Sequence, residues 1–335
     1  MKDRKNKVTR REFIQKTAAG AAALSITGIA GSCSVQSGKS TAMPTRVLGK
    51  TGLEVSLLSF GGGSQFLKNK DGDWEKSLQK ALKSGINFFD TAPSYTLSGF
   101  SMGDSKSIGS GEERYGTVLS EYRDKVILST KIEGRDPEEA KRGLEASLKY
   151  LKTDHLDILL LHAIAPSDDI AKIEKGVYKE MIRMKESGMV RFIGFSSMDS
   201  AERSRDFLEE LDIDVAMLAM NATQYRDYAK VALPVARRKN VGVIAMKVMR
   251  NLVGVKATAN ELFEYAWEQE GVASAIVGHY GMDPLKENIS IVNEYGKGKL
   301  TLKDRAELES RLAEYAGPHT LEWARPGYSD GGIIV

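Results

Sequence analysis

The chain has 335 residues, of which 48 are Lys or Arg and 45 are Asp or Glu, for a formal net charge of +3. Residues 1–33 alone carry seven basic and two acidic side chains, so the remainder holds 41 against 43, a net of −2, and offers no basic face to a nucleic acid. At 41% hydrophobic residues the chain can bury a large core, and with Cys33 as its one cysteine it can form no intrachain disulfide.

Met1 to Arg11 is rich in Lys and Arg, and Thr17 to Ser32 is a mild apolar run of Ala, Gly, Leu and Ile. The run is too short and too weakly apolar for a membrane span; together the two segments have the layout of a signal peptide over residues 1–33. The junction T-R-R-E-F-I-Q-K pairs Arg10 with Arg11 and continues with Phe13, Ile14 and Lys16. It resembles the twin-arginine export signal, an address read by a receptor that passes folded proteins. Cys33 follows A-G-S directly after the apolar run, which resembles a lipoprotein cleavage box with Ala30 where Leu is usual. The resemblance implies an exported protein of the bacterial periplasm or cell envelope. Its partners would include the twin-arginine machinery, and its membrane attachment would be a lipid on Cys33. Residues 34–45 are small and polar and read as a tether.

A hairpin-like start, M-P-T-R-V-L-G-K-T-G-L-E-V, opens a folded region expected over 46–318. Strand-like runs at 55–60, 86–90, 126–131, 156–162, 191–196, 214–220, 241–247 and 273–278 then alternate with helix-like runs. Most are nearly all apolar, as parallel strands covered on both faces should be. Between them, Asp136 and Pro137 suit an N-cap and a first turn, and Ala140, Leu144, Leu148 and Leu151 recur at helical spacing. Eight such units over about 250 residues predict a (β/α)8 TIM barrel. A doubly wound open sheet rarely runs to eight regular units, and G-G-G at 61–63 is not the dinucleotide fingerprint G-x-G-x-x-G.

Chemistry in such a barrel sits at the C-terminal ends of its strands. The second strand ends F-F-D-T-A-P-S-Y, giving Asp90 and Tyr95; the third ends in Lys131 and the fourth in His162. Singly, each has a structural reading, as helix cap, packing ring, rim charge or core histidine. Together they bring an acid, a phenol, an amine and an imidazole to one rim.

These residues resemble the aldo/keto reductase family. The resemblance runs from about Met43 to about Ala316 and includes R-V-L-G-K-T-G-L-E-V-S, D-T-A-P-S-Y, G-E-E-R-Y-G at 111–116, L-D-I-L-L-L-H, G-F-S-S at 194–197, G-V-I-A-M-K at 242–247 and E-N at 287–288. It implies a nicotinamide cofactor, NADP or NAD with NADP favoured, and a small aldehyde, ketone or alcohol as substrate. Tyr95 would be the proton donor. A phenol with pKa about 10 is a poor acid at neutral pH, and Lys131, held by Asp90, would favour its phenolate. His162 would hydrogen-bond to the carbonyl oxygen as charge builds there.

On the cofactor side the resemblance assigns Ser196 and Asn221 to the nicotinamide, Lys247 to the phosphates, and Glu287 and Asn288 to the adenine; Arg250 is the other cation at hand. The chain departs from the family at Met217, where an amide-binding Gln is usual, and at Met220, where a ring usually stacks. It also has H-Y-G at 279–281, where NADP users often carry an arginine. Gln224 lies near enough in sequence to stand in for the amide contact. After Tyr95 the chain inserts residues 96–110, rich in Gly and Ser, placed where a lid would close. Residues 319–335, from before Trp323 to the end, have no regular period and form a tail, either folded over the barrel mouth or free. The class that competes with a reductase is a barrel that keeps these residues but binds a ligand or partner without turnover.

Overall fold

The computed structural model describes residues 43–97, 109–254, 256–296 and 300–328. The readings that concern Arg10, Arg11, Cys33, most of the tether, most of the insertion after Tyr95 and the last seven residues lie outside them.

Eight parallel strands close into a barrel: β3 (Leu58–Gly61), β4 (Phe88–Asp90), β5 (Ile127–Ile132), β6 (Leu156–Leu161), β7 (Val190–Ser197), β8 (Val215–Ala219), β9 (Gly242–Met246) and β10 (Val272–Val277), with β10 pairing β3. After them in turn come α1 (Asp73–Lys83), α2 (Gly111–Val118), α3 (Pro137–Tyr150), α4 (Lys179–Glu186), α5 (Ala201–Glu210), α6 (Leu233–Arg238), α7 (Ala259–Trp267) and α8 (Met282–Glu294), and then α9 (Leu302–Leu312). The predicted (β/α)8 barrel is what the chain forms.

Every residue of β5, β6, β8 and β9 is buried. That is the reason the sequences of β6, β8 and β9 run nearly continuously apolar: side chains alternate between the barrel interior and the helix layer, and both are dry. Local signals agree with this layout. Asp136 caps α3 by accepting hydrogen bonds from the amides of Glu138 and Glu139, with Pro137 in the first turn. Ala140, Leu144 and Leu151 are buried and Leu148 packs against the core.

One boundary differs from the sequence reading. The run 55–60 is two strands, not one. Glu54–Ser56 (β2) pairs antiparallel with Thr45–Val47 (β1), and the barrel strand begins at Leu58. The apolar run is continuous because β2 and β3 both bury side chains, while their backbones face different partners. Between them the Leu57 amide turns to the carbonyl of Pro44.

The C-terminal segment is packed, not free, as far as Tyr328. Leu321 and Trp323 are buried, and the Trp323 ring meets Tyr225 edge-on at 5.4 Å. No helix among the described residues is long and apolar enough to cross a membrane.

Candidate active site

The ends of β4, β5 and β6 lie side by side, because each pairs in register with the next. Asp90 closes β4, Lys131 stands one residue from the end of β5, and His162 follows β6. Their side chains meet. Lys131 Nζ is 2.6 Å from Asp90 Oδ2 and 2.7 Å from the carbonyl oxygen of Thr91, and the Ser129 hydroxyl donates to Asp90 Oδ1 at 2.9 Å. The Lys131 ammonium lies 4.7 Å from the centre of the Tyr95 ring, and the Tyr95 and His162 rings meet edge-on at 5.8 Å. All four are buried. Burial pushes the Asp90 carboxyl up, against the pull of the Lys131 ammonium and the Ser129 hydroxyl. A buried carboxylate and ammonium are tolerated because each satisfies the other and both have further hydrogen bonds.

Tyr95 is placed by its loop. Its amide donates to Ala92, its carbonyl accepts from Gly111 at the start of α2, and Leu97 returns to Gly109. Gly111 cannot be larger, since a Cβ there would stand 2.7 Å from the Gly62 carbonyl oxygen. Ser110 and Glu113 cap α2 reciprocally, so the chain leaves and re-enters beside Tyr95 at fixed points. Residues 98–108, the body of the expected lid, are outside the described residues.

Glu133 is a fifth member that the sequence reading missed. Its Oε2 is 2.8 Å from His162 Nδ1, and its Oε1 accepts from the Ser94 amide at 3.2 Å. Burial works to raise its carboxyl, but the hydrogen bond and charge of His162, with Ser94, bring it down to about 2. The signal was its position: two residues past Lys131, a strand-like spacing puts both side chains on the same face. Several non-glycine residues in the loops after the strands hold left-handed backbone, among them Ala163 next to His162 and Lys247 just after β9, with φ of 45° and 59°. Such strain outside glycine concentrates where surrounding structure fixes a functional loop.

A cavity of about 640 Å³ opens at this end. Asp90, Tyr95, Met217, Lys247, Arg250, Glu287 and Asn288 are among the residues lining it. Lys131, His162, Ser196 and Asn221 are not among the lining residues. The Ser196 hydroxyl accepts from the Ala163 amide at 2.9 Å, and Asn221 braces its own turn through Thr223. Met220 is buried and lines, with Asn221 and Gln224, a separate hollow of about 10 Å³. Gln224 accepts from Lys230 and is not among the residues lining the larger cavity.

Two features of the lining were not read from the sequence. His279, in the H-Y-G stretch, is fully buried and driven down to about 3 by desolvation, so its ring is neutral. With the Asn288 amide donating to Nε2 at 3.1 Å, Nδ1 carries the proton. That buried N–H has no hydrogen-bond partner among the described residues. The second feature is the C-terminal segment. Glu322 Oε2 lies 2.6 Å from Arg250, and the Tyr328 hydroxyl accepts from Arg250 at 2.8 Å and from Lys247 at 3.2 Å. A cavity of this size, with two cations on one loop and an unmatched donor near Glu287 and Asn288, fits a dinucleotide.

The sequence profile of the aldo/keto reductase family matches residues 57–261. L-galactose dehydrogenase of Arabidopsis thaliana is 27% identical over 315 residues, covering 81% of this chain and 95% of that protein. A solved Pseudomonas aeruginosa structure described as an aldo-keto reductase is 28% identical, with a TM-score of 0.61 and coverage of 75% of this chain and 95% of that one. The holo form of a Bacillus halodurans aldo-keto reductase superposes with a TM-score of 0.65 over 80% of this chain and 96% of that one, at 20% identity, a likeness of fold alone.

Proposed function

We propose, on the premise that this chain belongs to the aldo/keto reductase family, that it reduces an aldehyde or ketone, or oxidises the corresponding alcohol, with Tyr95 as the proton donor. The observation that carries this reading is the Lys131 ammonium, set between the Asp90 carboxylate at 2.6 Å and the Tyr95 ring at 4.7 Å.

A bound nicotinamide supplies the hydride in such a reaction, or accepts it in reverse. The chain's own residues do the rest. As the carbonyl carbon gains hydride, its oxygen gains negative charge, and Tyr95 transfers its hydroxyl proton there. The positive charge of Lys131 stabilises the phenolate that remains, and Asp90 keeps that ammonium in place. His162 hydrogen-bonds to the same oxygen. Burial of all four excludes water and strengthens each of these interactions. Lys247 and Arg250 would hold the cofactor phosphates, and Glu287, Asn288 and the His279 Nδ1–H the adenosine end. NADP and NAD are both compatible with this set.

The test is turnover. Purified protein is mixed with NADH or NADPH and a panel of aldehydes, ketones and aldoses, and with the oxidised cofactors and the same sugars. Aldoses come first because one relative is named L-galactose dehydrogenase. Loss of reduced-cofactor absorbance that depends on Tyr95 supports the reading. No turnover, with no thermal shift on adding NADPH, supports the binding barrel instead, which the Glu322 and Tyr328 contacts across Arg250 and Lys247 favour.

The address is proposed from sequence alone. Arg10 and Arg11 direct the folded protein to the twin-arginine machinery, and Cys33 receives a lipid that holds it at the cell envelope.

A further inference from the structure

We infer that Glu133 is a positioning residue that keeps His162 doubly protonated, so that the ring offers the substrate oxygen a charged N–H and not a neutral one. This rests on the reading of the site as a carbonyl reductase.

A neutral imidazole that donates from Nδ1 has only an acceptor at Nε2. Such a ring cannot hydrogen-bond to a carbonyl oxygen through Nε2. The ring can donate from both nitrogens only when it is charged. The Nδ1 atom of His162 is committed, 2.8 Å from Glu133 Oε2. The role that the reaction asks of His162 therefore requires the imidazolium, and something must hold the second proton on a ring that is almost fully buried.

The charges packed around the ring decide what that is. From β4 and its following loop come Asp90 and Tyr95, from β5 and its following loop Lys131, Glu133 and Arg135, and from the loop after β6 Asp168. Lys131 is paired with Asp90 at 2.6 Å. Arg135 is paired with Asp168 at 2.8 Å while donating to the backbone carbonyls of His162 and Glu133. Each of these four charges is thus met by an opposite partner. Among the described residues the salt-bridge partner of Glu133 is His162, so its carboxylate is the charge not already balanced. Burial and the Lys131 ammonium oppose the second proton. Glu133, its side chain 40% exposed, favours it from direct contact at 2.8 Å. The same interaction holds the Glu133 carboxyl down, and linkage makes it hold the proton on His162.

The geometry also makes Glu133 stiff. The Ser94 amide fixes its second oxygen, and Ser94 immediately precedes Tyr95. Arg135 joins the loops that carry Glu133 and His162. One carboxylate thus ties the proton donor's loop to the ring that faces it. Hydrogen bonds with an ionised donor are about twice as strong as neutral ones, and a charged donor gains strength as the oxygen becomes an alkoxide. The proton and electron count is unchanged: hydride goes to carbon, the carbonyl pair moves to oxygen, and the proton on oxygen comes from Tyr95.

The experiment is a histidine NMR titration of the full folded domain with isotope-labelled histidine. The chain has four histidines, and His162→Gln assigns the signal. The His162 ring is expected to be charged at neutral pH in the wild type, and its midpoint to fall by at least about one pH unit in Glu133→Gln, with Glu133→Asp between. A wild-type ring that is already neutral across about pH 6 to 8 overturns the proposal, even if the variant does not fold. An unchanged midpoint in folded Glu133→Gln overturns it too. The titration reads protonation without turnover, so its failure is distinct from failure of the reductase assignment. On any carbonyl that is reduced, kcat of Glu133→Gln should fall at about pH 8 and recover toward wild type at about pH 6, where the ring charges unaided. A uniform loss across pH would mark Glu133 as merely structural.

Discussion

Glu322 reaches from the C-terminal segment to the Arg250 guanidinium, 2.6 Å away, at the lip of the cavity. Burial works to raise the Glu322 carboxyl, but Arg250 and Asn251 bring it below its usual range, so it is ionised at neutral pH. A phosphate that binds Arg250 must therefore displace an anion the protein already provides. Glu322→Gln removes that competitor and leaves the shape. Calorimetry should show NADH and NADPH bound roughly three- to tenfold more tightly by the variant, an effect of the size expected for a half-exposed ion pair. Unchanged or weaker binding would mean that Arg250 takes no part in holding phosphate.

Tyr95→Phe should fold, bind nucleotide as the wild type does, and lose roughly 10²–10⁴-fold in kcat, the usual worth of a positioned general acid. Lys131→Met should lose a similar factor for a different reason, since the phenolate is no longer stabilised. It should also melt at a lower temperature, because it leaves the buried Asp90 without its ammonium. Tyr95→Phe turnover within threefold of wild type on an identified substrate would remove Tyr95 as the donor.

The clustering of these four side chains was legible because Asp90, Lys131 and His162 stand at strand ends and Tyr95 in the loop after β4, and such positions in a barrel share one rim. The eight strands were legible because parallel strands buried on both faces carry no polar alternation to blur them. The division at Leu57 was not, since it depends on which backbone pairs with which and not on side-chain polarity. Glu133 was passed over although its spacing from Lys131 was in view. A lone Glu after a strand reads as solvated surface until His162, 29 positions on, is seen against it. Glu322 and Tyr328 had no local signal at all. Their partners lie 72 and 78 positions away and are met only through tertiary packing.

The Glu133 pair also predicts a pH dependence of stability. Its carboxyl is brought from an ordinary 4.5 to about 2 in the folded state. A group depressed in this way contributes stability that is fully present above the unfolded value and is lost as pH falls through the folded one. The stability difference between wild type and Glu133→Gln, from urea midpoints, should grow as pH falls from about 8 to 6, as the proton that Glu133 holds on His162 adds its share, and level off near pH 5. It should then shrink between about 4.5 and 2. A difference that persists at about pH 2 would show that the Glu133 carboxylate is not what stabilises the loop.

The address can be tested separately from the chemistry. Arg10→Lys together with Arg11→Lys keeps the charge of the leader. It should nonetheless trap the full-length precursor in the cytoplasm, because a receptor that reads guanidinium geometry does not accept an ammonium. Cys33→Ala should leave export intact and release the mature protein from the membrane fraction into the periplasmic extract. The two variants separate two signals: the first changes the compartment, the second the anchoring within it. Transport in the folded state, on the proposed address, would also let the barrel carry out a bound nucleotide. Native mass spectrometry of the protein from the envelope should then show the lipidated chain with one nicotinamide dinucleotide bound. An apo mass, with added nucleotide exchanging in under about a second, would remove pre-loading from the account. Membrane attachment that survives Cys33→Ala would do the same for the lipid as sole anchor.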